Sequence, residues 1–202
     1  MTLLLIRHGE TELNAGRVVQ FPDTPLGANG LQQADRLGRR LAARTIGRVL
    51  TSDYVRARMT AACVVAHTRA PLTVSANLRE RNFGDIRGTS YETLGALDIF
   101  APDFLPPNGE SWPVFNTRVD RAWDEILAHA AGLDGDLAVI THGLVLRSLL
   151  ERVLDVGAHA LPTAIAVANT SVTEVDGAPP WRVLDLACVD HLEDGARAVA
   201  PV

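Results

Sequence analysis

Two short apolar runs each end on a histidine followed by a glycine. Leu3-Leu4-Leu5-Ile6 leads into Arg7-His8-Gly9-Glu10-Thr11, and Leu137-Ala138-Val139-Ile140 leads into Thr141-His142-Gly143. Short, continuous apolar runs of this kind suit parallel strands buried on both faces, and open α/β sheets bind their ligands at the carboxyl ends of such strands. Two imidazoles far apart in sequence can then share one pocket. An unprotonated imidazole is a nucleophile near neutral pH, and its attack on phosphorus gives a phosphohistidine. Arg7, beside His8, offers a planar fork of donors suited to phosphate oxygens. Gly9 allows a tight turn and a close approach of backbone to ligand. The plainer alternative is a surface histidine at a strand end, with Arg7 in an ordinary ion pair. The rest of the chain has to decide between them.

The elements that would position these residues follow from alternating patterns. Leu3–Ile6, Val49–Thr51, Leu72–Val74, Leu137–Thr141, Ser171–Val175 and Val183–Leu186 read as strands. Leu31, Ala34, Leu37 and Leu41 recur at helical spacing before Gly47, read as a breaker. Ser52 is placed to cap a helix over 54–66 with Val55, Met59, Ala62 and Cys63 along its buried side. Ser111 is placed to cap a longer helix buried through Val119, Ala122, Trp123, Ile126 and Ala130. A further helix is expected over 143–154. Strands alternating with helices imply an α/β fold: a mostly parallel central sheet with helices on both faces, in one domain over 1–189. The stretch 79–110 carries scattered Gly and Pro and no sustained period, so it is expected to lie over the sheet as a lid or specificity insertion. The charged, Ala/Gly-rich stretch 190–202 is expected to be a flexible tail.

Further chemistry is placed on these elements. Arg56 falls one turn into the helix after the second strand, where the helix amino terminus favours an anion; the alternative is a surface arginine with a solvated head. Arg58 faces elsewhere and takes that plainer reading. Glu80 could donate a proton to a leaving oxygen or could pair with Arg79 or Arg81. Glu110, in Asn108-Gly109-Glu110-Ser111, is the substitute acid, although a structural part in the turn before the long helix suits it better. His67, His129, His159 and His191 stand in no motif, and no pair of histidines has metal-ligand spacing.

Taken together, Arg7-His8-Gly9-Glu10-Thr11, Asn14, the stretch SDYVRARMTA over 52–61, the stretch LRERNFG over 78–84, and Thr141-His142-Gly143 resemble the histidine phosphatase superfamily, which includes cofactor-dependent phosphoglycerate mutase. The pieces occur in the family's order and spread over most of the chain. The resemblance implies a phosphoglycerate mutase-like fold and a catalytic set of His8, Glu80 and His142. It further implies phosphate binding by Arg7, Asn14, Arg56 and Gly143, with no metal and no cofactor. His8 would take the phosphoryl group, His142 would steady its charge, and Glu80 would protonate the leaving alcohol.

Two departures stand out. Where family members often carry Gln-Gly and then Pro-Leu-Thr or Pro-Leu-Ser, this chain has Gln20-Phe21 and Pro25-Leu26-Gly27. Where many family phosphatases have Trp-Glu-Gly, it has Ile86-Arg87-Gly88. Arg87 would add positive charge beside the leaving group if it faced inward; the reading preferred from sequence is a solvated lid residue. The stretch 99–108 lacks any Lys or Arg, whereas the resemblance implies a mutase with cations there and a longer chain. A phosphatase is therefore preferred to a mutase. A non-catalytic phospho-ligand binder would be expected to lack His8, His142 or the acid. A metal-dependent hydrolase would be expected to show paired ligands.

Bulk properties exclude other classes. The chain has 202 residues, 47% hydrophobic and 21% charged, with a formal net charge of −5. That balance disfavours a nucleic-acid or anionic-membrane surface, so cations for an anionic substrate must be local. Cys63 and Cys188 make no disulfide framework. With no leader pattern and no long apolar stretch, the expectation is a cytoplasmic enzyme acting on a small phosphomonoester, with a homodimer left open.

Overall fold

A computed structural model describes residues 1–157 and 167–192. Branched aliphatic residues crowd a helix but pack well on a pleated sheet, and the six runs read as strands all become strands. They are β1 (Thr2–Arg7), β2 (Ile46–Ser52), β3 (Leu72–Ser75), β4 (Asp136–Thr141), β5 (Val172–Asp176) and β6 (Val183–Cys188). They form one six-stranded sheet in the order β3-β2-β4-β1-β5-β6. The pairs β2–β3, β2–β4 and β1–β4 are parallel, while β5 and β6 add an antiparallel edge.

Alternate residues of the central strands supply two cores. Leu3 and Leu5 of β1, with Leu137 and Val139 of β4, meet the apolar sides of α5 (Trp112–Ala130) and α6 (Gly143–Arg152). Leu4, Ile6, Ala138 and Ile140 meet α2 (Ala28–Leu41) and α3 (Val55–Thr68) on the opposite face. Short helices α1 (Glu12–Ala15) and α4 (Tyr91–Leu94) lie in the connections.

The long helix is as anticipated: Ser111 Oγ accepts from Val114 N, and all five stripe residues are buried. Several local expectations are corrected. Leu31 is 43% exposed, and Gln33 takes the inward place because its Oε1 accepts from Glu10 N. Gly47 does not break a helix: it lies inside β2, close to the Asp134 carbonyl. Ser52 does not cap α3; Tyr54 occupies that position. The buried side of α3 is Arg56, Ala57, Thr60, Ala61 and Val64, turned away from the side expected. α2 packs closely on that helix, so Ala57, Thr60 and Ala61 face inward with Val64, and Arg56 is buried at its amino-terminal turn. The tail does not begin at Asp190, because Asp190–Leu192 form a 3-10 turn with Leu192 buried. Residues 193–202, like His159, lie outside the described residues.

The stretch 79–110 is held by its own polar contacts. Arg81, 1% exposed, donates to the carbonyls of Ile99, Phe104 and Glu110 and lies 4.1 Å from the centre of the Trp112 ring. On the other side, Gly88 N donates to Val19 O, Val19 N to Thr89 O, and Tyr91 N to Arg17 O. This stitches the stretch to the loop that follows α1.

Candidate active site

β1 and β4 lie side by side, with Arg7 opposite Thr141. The next residue on each strand is therefore a histidine at the same carboxyl edge. The His8 and His142 ring centres are 5.1 Å apart, set edge to face. Arg7, His8, Asn14, Arg56 and Glu80 line one cavity, and His142 packs directly behind His8.

His8 is 2% exposed, and its protonation is set by its neighbours. Nδ1 lies 2.7 Å from the carbonyl oxygen of Gly9, which can only accept, so the ring proton sits on Nδ1. Nε2 keeps its lone pair and accepts from Arg56 Nε at 3.1 Å. Burial, then Arg56 and Arg7, hold this imidazole well below the ordinary histidine pKa. Gly9 plays a different part from the one expected. A side chain there would strike the backbone of Gly30, so Gly9 allows loop and helix to pack rather than approaching a ligand.

Arg56 emerges from the first turn of α3 and is 2% exposed, so the solvated alternative is excluded. Its NH1 donates to Phe21 O at 2.9 Å, which fixes the guanidinium beside His8. Burial pushes its pKa down to about 10, and Glu80 acts against that. Arg58 is exposed, as expected. Arg7 donates through NH1 to Val167 O at 2.6 Å, and its buried Nε has no hydrogen-bond partner among the described residues.

His142 is wholly buried behind His8 and Tyr54, with Nε2 2.9 Å from Ser52 Oγ. Ser52 Oγ already accepts from Tyr54 N, so its own proton is available to Nε2. When Ser52 Oγ donates to Nε2, the proton of His142 sits on Nδ1, a buried atom with no hydrogen-bond partner among the described residues. Burial and then Arg56 keep this ring neutral as well. Gly143 opens α6 behind His142 and does not line the cavity; Leu144 does.

Glu80 forms no ion pair with Arg79 or Arg81 among the described residues. Arg79 pairs with Asp53, and Glu80 instead accepts backbone N–H groups, Arg81 N on Oε1 at 3.0 Å and Leu144 N on Oε2 at 3.2 Å. Burial raises its pKa, opposed by those two N–H groups and by Arg56 and Arg7. Glu110 has the structural place. Arg118 donates to both its oxygens, at 2.9 and 2.6 Å, and these bonds draw its pKa down although burial acts the other way. Arg87 does not take the solvated place preferred from sequence. It lines the cavity and donates to Tyr54 Oη at 3.4 Å.

Three contributors escaped the sequence reading. Asn169 Nδ2 donates to His8 O at 2.9 Å and lies 3.5 Å from Asn14 Oδ1, which leaves the Asn14 amide N–H groups free. Thr60 Oγ1 accepts from Gly9 N at 3.0 Å. Arg118 donates to the carbonyls of Asn77, Arg79 and Glu80, holding the segment that carries Glu80. A polar residue in a helix or loop carries no local sign of these long-range bonds. Among the described residues no group of three or more His, Cys, Asp or Glu could hold a metal ion, and no helix is long and apolar enough to cross a membrane.

Fold and pocket together define an α/β protein with a histidine-centred, arginine-lined anion site at the carboxyl ends of its parallel strands. The model of the histidine phosphatase superfamily, branch 1, matches residues 3–186, and the chain belongs to that superfamily. It is 32% identical to a probable phosphoglycerate mutase of Citrobacter koseri, over 96% of this chain and 95% of that one. It is also 32% identical to a broad-specificity phosphatase of Saccharomyces cerevisiae, over 98% and 90% respectively. Among solved structures, YhfR of Bacillus stearothermophilus superposes with a TM-score of 0.81 at 30% identity, covering 95% of this chain and 99% of that one. A mycobacterial glucosyl-3-phosphoglycerate phosphatase complexed with VO3 gives 0.78 at 25% identity, over 91% and 97%.

Proposed function

We propose that this protein is a metal-independent phosphomonoester hydrolase, an acid-type histidine phosphatase that works through a phosphohistidine on His8. The observation that carries the reading is the state of His8: the Gly9 carbonyl holds its proton on Nδ1, and the unprotonated Nε2 accepts from Arg56 Nε, a bond that passes to a phosphoryl oxygen when Nε2 attacks. In the first step Nε2 attacks phosphorus in line and the P–O ester bond breaks. Arg7, Asn14 and Arg56 hold the phosphoryl oxygens, and the unpartnered Nδ1–H of His142 donates to them as charge builds. Glu80, whose burial favours the protonated form, gives its proton to the leaving oxygen. In the second step Glu80 takes a proton from water, water oxygen attacks phosphorus, the P–N bond breaks, and phosphate leaves with His8 restored. Arg7 and Arg56 supply the countercharge that a metal ion would supply elsewhere.

The broad-specificity phosphatase and the vanadate-bound phosphatase among the relatives support hydrolysis. The relative called a probable phosphoglycerate mutase favours the alternative, transfer between positions of one substrate. Against it, the stretch 99–108 carries no Lys or Arg to grip a substrate carboxylate, and it lines the cavity with Phe100. A small-molecule substrate and a cytoplasmic setting go with the hydrolase reading.

The test is turnover of a panel of phosphomonoesters with chelator present. Hydrolysis should persist, an acid-quenched phosphoenzyme should be trapped, and His8→Ala should lower kcat/KM by at least about 10³-fold. Full activity in that variant would overturn the reading.

A further inference from the structure

We infer that Arg87 and Tyr54 form a leaving-group subsite that takes a second anionic group, a carboxylate or a further phosphate, on the alcohol of the phosphomonoester. This rests on Glu80 being the proton donor.

The cavity beside His8 adjoins a polar cavity of about 430 Å³. Tyr54, Glu80 and Arg87 line both, and so form the doorway between them. A leaving oxygen that receives the Glu80 proton must lie at this doorway, and the rest of the alcohol then extends into the polar cavity. Another cavity, of about 280 Å³, adjoins the site through Phe100 and Leu144. Glu80 does not line it, so an alcohol directed there would leave its oxygen away from the acid.

Charge in the polar cavity is unevenly compensated. Arg79 is paired with Asp53, and Arg118 with Glu110. Arg87 has no carboxylate partner among the described residues; its hydrogen bond goes to the Tyr54 hydroxyl. The Tyr54 ring is held in place, with the guanidinium carbons of Arg56 and Arg79 at 5.1 and 5.7 Å from its centre. Its hydroxyl accepts from Arg87 and keeps its own proton to donate. A neutral donor beside an uncompensated guanidinium, both facing one doorway, can grip an anion from two directions. A neutral alcohol would leave that charge unused.

The experiment compares three esters: the phosphate of a hydroxy acid, an alkyl bisphosphate, and glycerol phosphate as the neutral-alcohol reference. Wild type should favour one or both anionic esters. In Arg87→Gln the ratio of kcat/KM, anionic over neutral, should fall roughly 10- to 100-fold, and Arg87→Lys should recover part of it. The choice between the first two esters tells carboxylate from phosphate. Binding is read separately by calorimetric titration of His8→Ala, alone and with Arg87→Gln added. An equal ratio in wild type and Arg87→Gln, with equal affinities in the titration, overturns the subsite. Loss of the ratio in Arg87→Gln while His8→Ala keeps full turnover would sink the phosphohistidine reading and leave the subsite standing.

Discussion

At the scale of residues, burial tunes His8 and Glu80 to complementary tasks. Loss of water disfavours the charged form of either group, so His8 stays neutral, as the proposed nucleophile must, and Glu80 leans towards the protonated form that the proposed acid needs. Arg56 and Arg7 reinforce the first effect and oppose the second. The sign for catalysis follows. The first step needs neutral His8 and protonated Glu80, so kcat/KM falls on the acid side only below the ordinary histidine range. On the alkaline side it falls as pH rises through the raised carboxyl pKa. The expected profile is a bell whose alkaline limb lies above the usual carboxylate range. Glu80→Gln should remove that limb and lower kcat/KM for alkyl esters about 10²- to 10⁴-fold, with a smaller loss for p-nitrophenyl phosphate, whose leaving oxygen needs little protonation. An equal loss on both esters would take the proton from some other group. His8, His142 and Glu80 could be read from short motifs. The tautomer of His8 could not, because Gly9 O assigns it through a contact that motifs do not encode.

At the scale of elements, α5 governs the acid from a distance. Arg118 spans from Glu110 to the carbonyls of Asn77, Arg79 and Glu80, so one guanidinium sets the path of the segment that follows β3. Arg118→Ala should therefore act twice. It strips Glu110 of its partner, lowering stability on the order of 3 kcal/mol by denaturant unfolding. It also lets Glu80 drift, lowering kcat for alkyl esters more than for aryl ones. Equal loss on both ester classes would leave Arg118 a purely structural role. The α5 stripe was legible because large apolar residues recur along it, whereas the buried side of α3 is mostly small or polar: Arg56, Ala57, Thr60 and Ala61, with Val64 its one large apolar residue. Hydrophobic periodicity identifies the buried face only when size and burial go together.

At the scale of the whole molecule, keeping histidines neutral makes stability depend on pH. His8 and His142 are held well below the ordinary histidine pKa, and burial brings His191 down to about 4. As pH falls through about 6.5 the unfolded chain gains protons at these sites and the folded chain does not, so folding weakens. Glu80, with its raised pKa, acts in the opposite sense below neutrality, but it is one group against three. Urea midpoints should therefore drop between pH 7 and pH 5, and His191→Asn should make the drop smaller; a midpoint that does not change with pH would refute this account. By itself the chain's sequence determined the strands, the α/β class and the motif histidines and arginines, because branched runs and short motifs are local properties. Only the tertiary structure decided that β1 and β4 are neighbours in register, which places His8 against His142. It alone brought Arg87 inward to Tyr54 and set Arg118 behind Glu80. The physical reason is that these pairings join residues distant in the chain, and strand order, burial and long-range hydrogen bonds are settled only when the two cores close around the sheet.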